Sequence, residues 1–313
     1  MGQRDPTETL YRVIGSIYRH VEDLAVLEYP RRLYRRSIDV AVRLRDGRLA
    51  FMKVTDNTNN ISKQDVQELK SVASTLGAGA VIVAEYMGDR ELLDDIAYEL
   101  YNVKVVNVNT LEGVFSGRTA IYVYQSGDLL KVRIDGEAVR RRRLEEGLSL
   151  GEVAYRLGVT RRTVYEYERG SIEPTIDKAE KLVRLLGDEI LAPIDIFECT
   201  APSKTKISEA DDFDSEEERL LAKSLAESNF SVVHARRTTV DIVGAKRERR
   251  LLLVVRHGKE SFESFRLKAL NSRRLARIAN TENYVVVKER EARRELEGEG
   301  LKAITLSEVR ELL

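Results

Sequence analysis

Between residues 136 and 191 the chain carries a close-spaced series of helix start and stop signals, and this series constrains the fold more than any other feature of the sequence. Ser149 is a good N-cap and Glu152, three residues on, completes the capping-box pattern, so a helix opens at Leu150 and runs to Leu157. Gly158-Val159 then turns the chain where a side chain would clash. Thr160 caps a second short helix over residues 161–169, which Gly170 stops. A helix over residues 137–144 comes before this pair, closed by Glu146-Gly147, and Pro174 precedes another over 177–186. Val153, Leu157, Val159 and Val164 fall where they fill a small core between the two capped helices, and Ala154 lets those helices cross closely.

This stretch resembles the helix-turn-helix of the phage-repressor and Cro class, also called the xenobiotic-response-element family. The residues that carry the likeness are Arg143, Gly147-Leu148-Ser149, Val153-Ala154, Leu157-Gly158-Val159-Thr160, Thr163-Val164, Tyr167-Glu168-Arg169-Gly170 and Pro174. In that family the helix after the turn enters the major groove with its first residues at base edges. The resemblance therefore implies that Arg161, Arg162, Thr163 and Glu166 read bases. Arginine pairs bidentately with guanine and glutamate accepts from cytosine, which implies a target containing G·C pairs. It implies phosphate contacts from Ser149, Arg156, Thr160, Arg140 and Arg143. Leu150 departs from the pattern, because the family often has Gln there to brace a phosphate contact. The four arginines at 140–143 also suit a solvated helix face, and Glu168 and Arg169 suit contacts within the chain. Arg161 and Arg162 differ, since cations at a helix N-terminus oppose the macrodipole, a small cost that points to a ligand-facing role.

On either side the pattern changes to alternating strands and helices. Residues 7–25 carry apolar positions at helical spacing, and residues 37–44 and 49–54 read as strands joined by an Asp46-Gly47 hairpin turn. A helix over 65–76, a buried-type strand over 80–84, a helix over 91–101, a strand over 103–108 and a helical turn over 110–115 follow. Residues 120–124 and 129–134 form a second hairpin, read as a connector. After an acidic, Ser-containing linker the first segment's order returns: helix 216–228, strands 231–235, 238–243 and 251–255, helix 272–279, strand 284–287, helix 292–299, strand 301–305 and a closing helix. A weak internal duplication around a helical insert is the simplest organisation. The expected fold class is multi-domain α/β plus all-α, with α/β domains over 1–118 and 215–313. Between them lie a connecting hairpin over 119–135, a helical domain of four to five helices over 136–195 and a linker over 196–214.

The flanking order, a hairpin carrying Asp and then Lys between helices, resembles the PD-(D/E)XK nuclease fold of restriction endonucleases and Holliday-junction resolvases. Active members use an Asp on one strand and Glu-x-Lys on the next to bind Mg²⁺ and activate water. Asp39 and Lys53 fit, but Phe51 stands at the glutamate position. In the second copy Asp241 fits at the same offset from Val255, and the pair Val254 and Arg256 replaces Glu and Lys. The resemblance thus implies two degenerate, restriction-endonuclease-like domains unless a carboxylate such as Glu68 has migrated in. Without that, Asp39 caps a turn or pairs with Arg43 or Lys53. Two such domains around a repressor-like reader resemble a family of archaeal HTH-type transcriptional regulators.

Lys plus Arg equals Asp plus Glu at 52 each, which excludes a uniformly basic nucleic-acid coat but not a local basic face. Cys199 is alone, and His20, His234 and His257 are scattered without paired spacing, so neither a disulfide framework nor a zinc site is expected, and no metal or cofactor. The absence of a long apolar run and of a signal peptide points to a cytoplasmic chain without membrane contact. The expected function is a non-enzymatic, sequence-specific regulator that binds double-stranded DNA as a homodimer, with the transcription machinery as a further partner. The end domains would provide dimerisation and extra DNA or effector contacts. A metal-dependent nuclease or junction resolvase with its own reader is the alternative, and an RNA- or protein-interaction module is a third.

Overall fold

The computed structural model describes residues 6–198, 213–258 and 260–312; Cys199 and most of the expected linker over 196–214 lie outside the described residues. The N-terminal segment forms α1 (Pro6–Ile17), β1 (Val21–Val26), β2 (Val40–Leu44), β3 (Leu49–Val54), α2 (Lys63–Leu76), β4 (Ala78–Val83), β5 (Tyr86–Met87), β6 (Arg90–Glu91), β7 (Ile96–Leu100), β8 (Val103–Val106) and α3 (Val108–Phe115). The hairpin β9 (Val123–Ser126) and β10 (Leu129–Val132) completes an eight-stranded sheet of order β1-β2-β3-β4-β8-β7-β9-β10. The expected connector hairpin is thus part of the sheet, because β9 pairs in parallel with β7.

Two expected helices fold otherwise. The helical spacing over 7–25 is interrupted after Ile17, and residues 21–26 pair antiparallel with β2. Residues 96–100, expected in a helix, lie between β8 and β9, with Ile96, Ala97 and Tyr98 all buried. Tertiary pairing on both sides outweighs helical periodicity in such a short apolar run.

The central segment forms α4 (Gly136–Glu145), α5 (Leu150–Leu157), α6 (Arg161–Glu168) and α7 (Ile176–Leu186) around Val139, Val153, Leu157, Val164, Leu182 and Leu186. It is fastened to the sheet at both ends. The Val132 N–H donates to the Pro174 carbonyl at 2.9 Å, and the Ala192 N–H to the Arg133 carbonyl at 3.1 Å. Ile196 and Phe197, at the start of the expected linker, are buried in the N-terminal core with Ile194, so that core reclaims the chain as it leaves the helices.

The C-terminal segment forms α8 (Glu216–Glu227), β11 (Ser231–His234), β12 (Ile242–Lys246), β13 (Arg249–Val255), α9 (Phe262–Ala279), β14 (Glu282–Val286), α10 (Arg290–Gly298), β15 (Ala303–Ile304) and α11 (Leu306–Leu312), with its strands in chain order. Helix α9 starts well before the expected 272, capped by the Ser261 hydroxyl. The first six elements of each α/β half correspond: α1 to α8, β1–β3 to β11–β13, α2 to α9 and β4 to β14.

The two halves pack on each other reciprocally. Helix α2 lies against β11 and β12, while its counterpart α9 lies against β1 and β2. One apolar core joins Phe51, Leu69 and Leu76 of the first half to Val243, Leu252 and Phe265 of the second. This is the self-complementary arrangement of a two-fold dimer, built within one chain. The apolar flanks expected to serve dimerisation are covered by one another.

Candidate nucleic-acid interface

Local sequence places the reader helix as expected. The Ser149 hydroxyl accepts from the Glu152 N–H at 3.2 Å and the Glu152 carboxylate accepts from the Ser149 N–H at 2.7 Å, which starts α5. Gly158 ends it in the left-handed region at φ 68°. The Thr160 hydroxyl accepts from the Thr163 N–H at 3.1 Å and starts α6. An accepting hydroxyl keeps its own hydrogen, so Ser149 remains able to donate to a phosphate. Thr160 and Thr163 hydroxyls share a bond of 2.9 Å, so only one of the two has a free hydrogen.

The outer face of α6 carries Arg161 and Arg162 in solvent, with Thr163 and Glu166 half-buried. Arg161 lies across the first turn of α5, where a Cβ on Gly151 would come within 2.8 Å of its Nε. The absent side chain at 151 gives this guanidinium a bed to lie on. Glu166 stands 3.6 Å from Arg162 one turn away. Arg140 and Arg156 are exposed on the neighbouring helices.

Arg143 corrects the expectation of a phosphate contact. It is buried, with Nε 2.5 Å from Glu168 Oε1, Nη2 3.2 Å from Glu168 Oε2 and Nη1 donating to the Leu148 carbonyl at 2.9 Å. This bidentate pair ties α4 to α6 and commits three of the five guanidinium N–H donors within the chain. Arg142, partly exposed, bonds within the chain to the Leu186 carbonyl and Glu145. Sequence reasoning missed Tyr155, which is 88% exposed beside Arg156 on α5. The available signal was a large aromatic placed off the buried stripe of Val153, Ala154 and Leu157.

The residues expected at degenerate nuclease positions form two centres. In the first half Asp39 is fully buried, with Oδ2 accepting from the Val54 N–H at 2.8 Å and lying 3.1 Å from Lys53 Nζ. Lys53 also donates to the Leu33 carbonyl at 2.8 Å, so the segment before β2 closes over the pair. Burial raises the Asp39 carboxyl above its ordinary value despite the ammonium beside it. Phe51 faces the core, and Arg43 donates to carbonyls of α9 rather than to Asp39. Asp39 Oδ1 is buried without a hydrogen bond and is the single oxygen left. Mg²⁺ demands near-octahedral oxygen ligation and keeps several waters, so this buried centre with one free oxygen and a resident ammonium does not fit it.

Glu68, the candidate for a migrated carboxylate, is engaged between the halves. Its carboxylate accepts the Ser37 hydroxyl at 2.8 Å and the backbone N–H groups of Arg236 and Arg237 at 2.8 and 2.9 Å, clamping the two halves together. Burial pushes its carboxyl upward against these donors.

In the second half the Asp241 Oδ2 accepts from the Val255 N–H at 2.7 Å. The backbone bond from Asp39 N–H to Met52 repeats as Asp241 N–H to Leu253. These bonds align Val255 with Val54, so Val254 stands at the lysine place and Leu252 at the glutamate place. The offset used to align Val255 with Lys53 is therefore one residue out, and Arg256 lies beyond the centre, paired with Glu289 at 3.2 Å. The cation comes instead from α9, where Lys268 bonds Asp241 Oδ1. Burial would lower Lys268, but the Asp241 carboxylate outweighs it and holds the ammonium above the ordinary lysine range.

Three further residues converge there that sequence reasoning left scattered. Glu218, fully buried on α8, has Oε2 3.1 Å from His234 Nε2 and Oε1 3.1 Å from His257 Nε2. His257 Nε2 also stands 3.6 Å from Asp241 Oδ1. The His257 imidazole is pushed up to about 10, by Asp241 first and then by Glu218. Burial alone would raise Glu218, but the two imidazoles hold it below the usual carboxylate range. The signal was present in α8: its buried positions 218, 221 and 225 repeat the spacing of Leu10, Val13 and Ile17 in α1, with a carboxylate where the first half has leucine.

Comparison with known proteins gives two matches within the chain. Residues 7–120 match the PD-(D/E)XK superfamily domain and residues 139–189 match a helix-turn-helix family. An HTH-type transcriptional regulatory protein of Aeropyrum pernix is 43% identical over 287 residues, covering 90% of this chain and 86% of its own length. One from Sulfurisphaera tokodaii is 30% identical over 305 residues, covering 96% of this chain and 97% of its own. One from Methanosarcina acetivorans is 30% identical over 201 residues, 63% and 61% of the two chains. No solved structure matches.

Proposed function

The chain belongs to the family of HTH-type transcriptional regulatory proteins represented in archaea, and from that premise we propose that it reads double-stranded DNA by lodging α6 in the major groove. The observation that carries this reading is the outward face of α6, where Arg161 and Arg162 stand in solvent ahead of a capped helix start. Thr163 and Glu166 complete the reading set. Arg140, Arg156, Ser149 and Thr160 hold phosphates, and Tyr155 adds a further hydroxyl at the rim.

A single reader of this size recognises a short site, so specific binding calls for two copies on half-sites about one helical turn apart. The pseudo-two-fold core of the chain carries only one reader, so the second comes from another chain. We further propose that neither α/β half cleaves DNA. The first centre is sealed around its own lysine, and the second lacks a carboxylate at 252 and a lysine at 254.

Selection of bound sites from genomic fragments, followed by titration of the best site, tests the reading. Arg161→Ala and Arg162→Ala should each weaken that site by about 1–3 kcal/mol and relax preference at one base pair. Equal affinity of both variants for the selected site would sink it. Plasmid or branched DNA incubated with Mg²⁺ or Mn²⁺ should stay intact, and cleavage abolished by Asp39→Ala would favour the nuclease instead.

A further inference from the structure

We propose that Glu218, Asp241 and His257 form a binding site for one divalent transition-metal ion of the zinc class, with His234 orienting the glutamate. The three residues come from α8, from the entry to β12 and from just beyond β13, and one ligand atom of each lies within 4.8 Å of the others. Zinc binds imidazole nitrogen and carboxylate oxygen at about 2.0–2.2 Å, which sets neighbouring ligand atoms of a tetrahedral site about 3.3–3.5 Å apart. His257 Nε2 stands 3.1 Å from Glu218 Oε1 and 3.6 Å from Asp241 Oδ1, which bracket that span.

A second observation points to a ligand. Glu218 is wholly buried, yet its Oε1 has no hydrogen bond even though an imidazole nitrogen is at contact distance. The nitrogen and the oxygen face one another as an ion pair without hydrogen-bond alignment, an arrangement in which a metal ion can take the place of the proton between them. The rest of the glutamate is fixed, because Oε2 is in contact with His234 Nε2 and accepts from the Asp214 N–H at 3.0 Å. Carboxylate ligands are held by such outer partners. Asp241 is fixed in the same way through Oδ2, which leaves Oδ1 towards His257. Lys268 shares that oxygen, and a carboxylate oxygen has lone pairs for both an ammonium and a metal.

The chemistry of the donors selects the ion. One imidazole with two carboxylates suits zinc, cobalt or manganese, whereas Mg²⁺ prefers all-oxygen ligation. A cavity of about 180 Å³ lined by His257, Gly258, Arg256, Val286 and Lys288 adjoins the cluster at the carboxyl ends of β13 and β14. It provides an entry path and room for a water as fourth ligand. This donor set is absent from the first half, where Leu10 stands in the place of Glu218.

The test uses the full chain, stripped with a chelator and dialysed, with Co²⁺ alone as probe. The expected result is a visible d–d absorption that saturates at one Co²⁺ per chain and is displaced by Zn²⁺. His257→Gln and Glu218→Gln should abolish it, His234→Gln should weaken binding by about 10- to 100-fold, and His20→Gln should leave it unchanged. Absence of the band, or a band undiminished in folded His257→Gln, overturns the proposal. Should the variants fail to fold, diethylpyrocarbonate labelling of the wild-type chain decides: Zn²⁺ should protect His257, and equal labelling with and without Zn²⁺ overturns the site.

Discussion

The two α/β halves are built on the same backbone frame and end in different chemistry. In each, a buried aspartate enters the second strand and takes an N–H from the third through its Oδ2, at 2.8 Å in the first half and 2.7 Å in the second. The first half supplies the compensating cation from the adjacent strand as Lys53 and closes the chain over it. The second supplies it from α9 as Lys268 and sets Glu218, His234 and His257 alongside. Backbone hydrogen bonding fixes a common frame in both halves, whereas the side chains that fill it can differ once burial and charge balance are kept. One half has become a closed ion pair and the other a polar cluster beside a cavity.

The largest effects should come from the two lysines. Removing one partner of a fully buried pair leaves an uncompensated charge and costs about 3–5 kcal/mol. Lys53→Met should lose stability of that order in urea titration, because among the described residues no other cation donates to Asp39. Lys268→Met in chelator-treated protein should lose less, about 1–3 kcal/mol, because His257 faces the same oxygen of Asp241 at 3.6 Å. Equal losses would break the contrast between a sealed centre and a redundant one.

A middle-sized effect should come from the clamp between the halves. Glu68→Ala leaves the exposed N–H of Arg236 and the part-buried N–H of Arg237 without their acceptor, and loss of hydrogen bonds to a charged group costs about 1.5–3 kcal/mol. Because one core spans both halves, calorimetry on the wild type should show them unfolding together, and Glu68→Ala should begin to separate the transitions. Two separate transitions in the wild type would refute the shared core as the unit of stability.

The smallest effects should come from the surface pairs across the same boundary. Arg274 with Glu28 at 2.8 Å and Arg277 with Asp23 at 3.0 Å have about half of each side chain in solvent. Exposed pairs contribute about 0.2–1 kcal/mol and are screened by salt. Arg274→Ala and Arg277→Ala should therefore shift the urea midpoint slightly, and the shift should vanish at high salt. A loss matching that of Glu68→Ala would move the weight of the interface from the buried clamp to its rim.

The reader was legible because its information is local. Ser149, Glu152, Gly158 and Thr160 cap, turn and restart the chain through bonds spanning three or four residues, and such signals are complete within a short window of sequence. Arg143 shows where that window ends: the same helix that exposes Arg140 buries Arg143 against Glu168, 25 residues away. Residues 96–100 became a strand because β8 and β9 flank them, which no local period records.

The sequence by itself determined the capped helices, the order of elements in the C-terminal half and the presence of Phe51 at the glutamate place, since each depends on neighbours along the chain. Only the tertiary structure decided that the halves bury each other's flanks, that Glu68 serves as a clamp, and that Lys268, Glu218, His234 and His257 meet around Asp241. Those contacts join residues tens to hundreds of positions apart, and such pairings arise from the packing of whole surfaces, which leaves no spacing to read in a single chain.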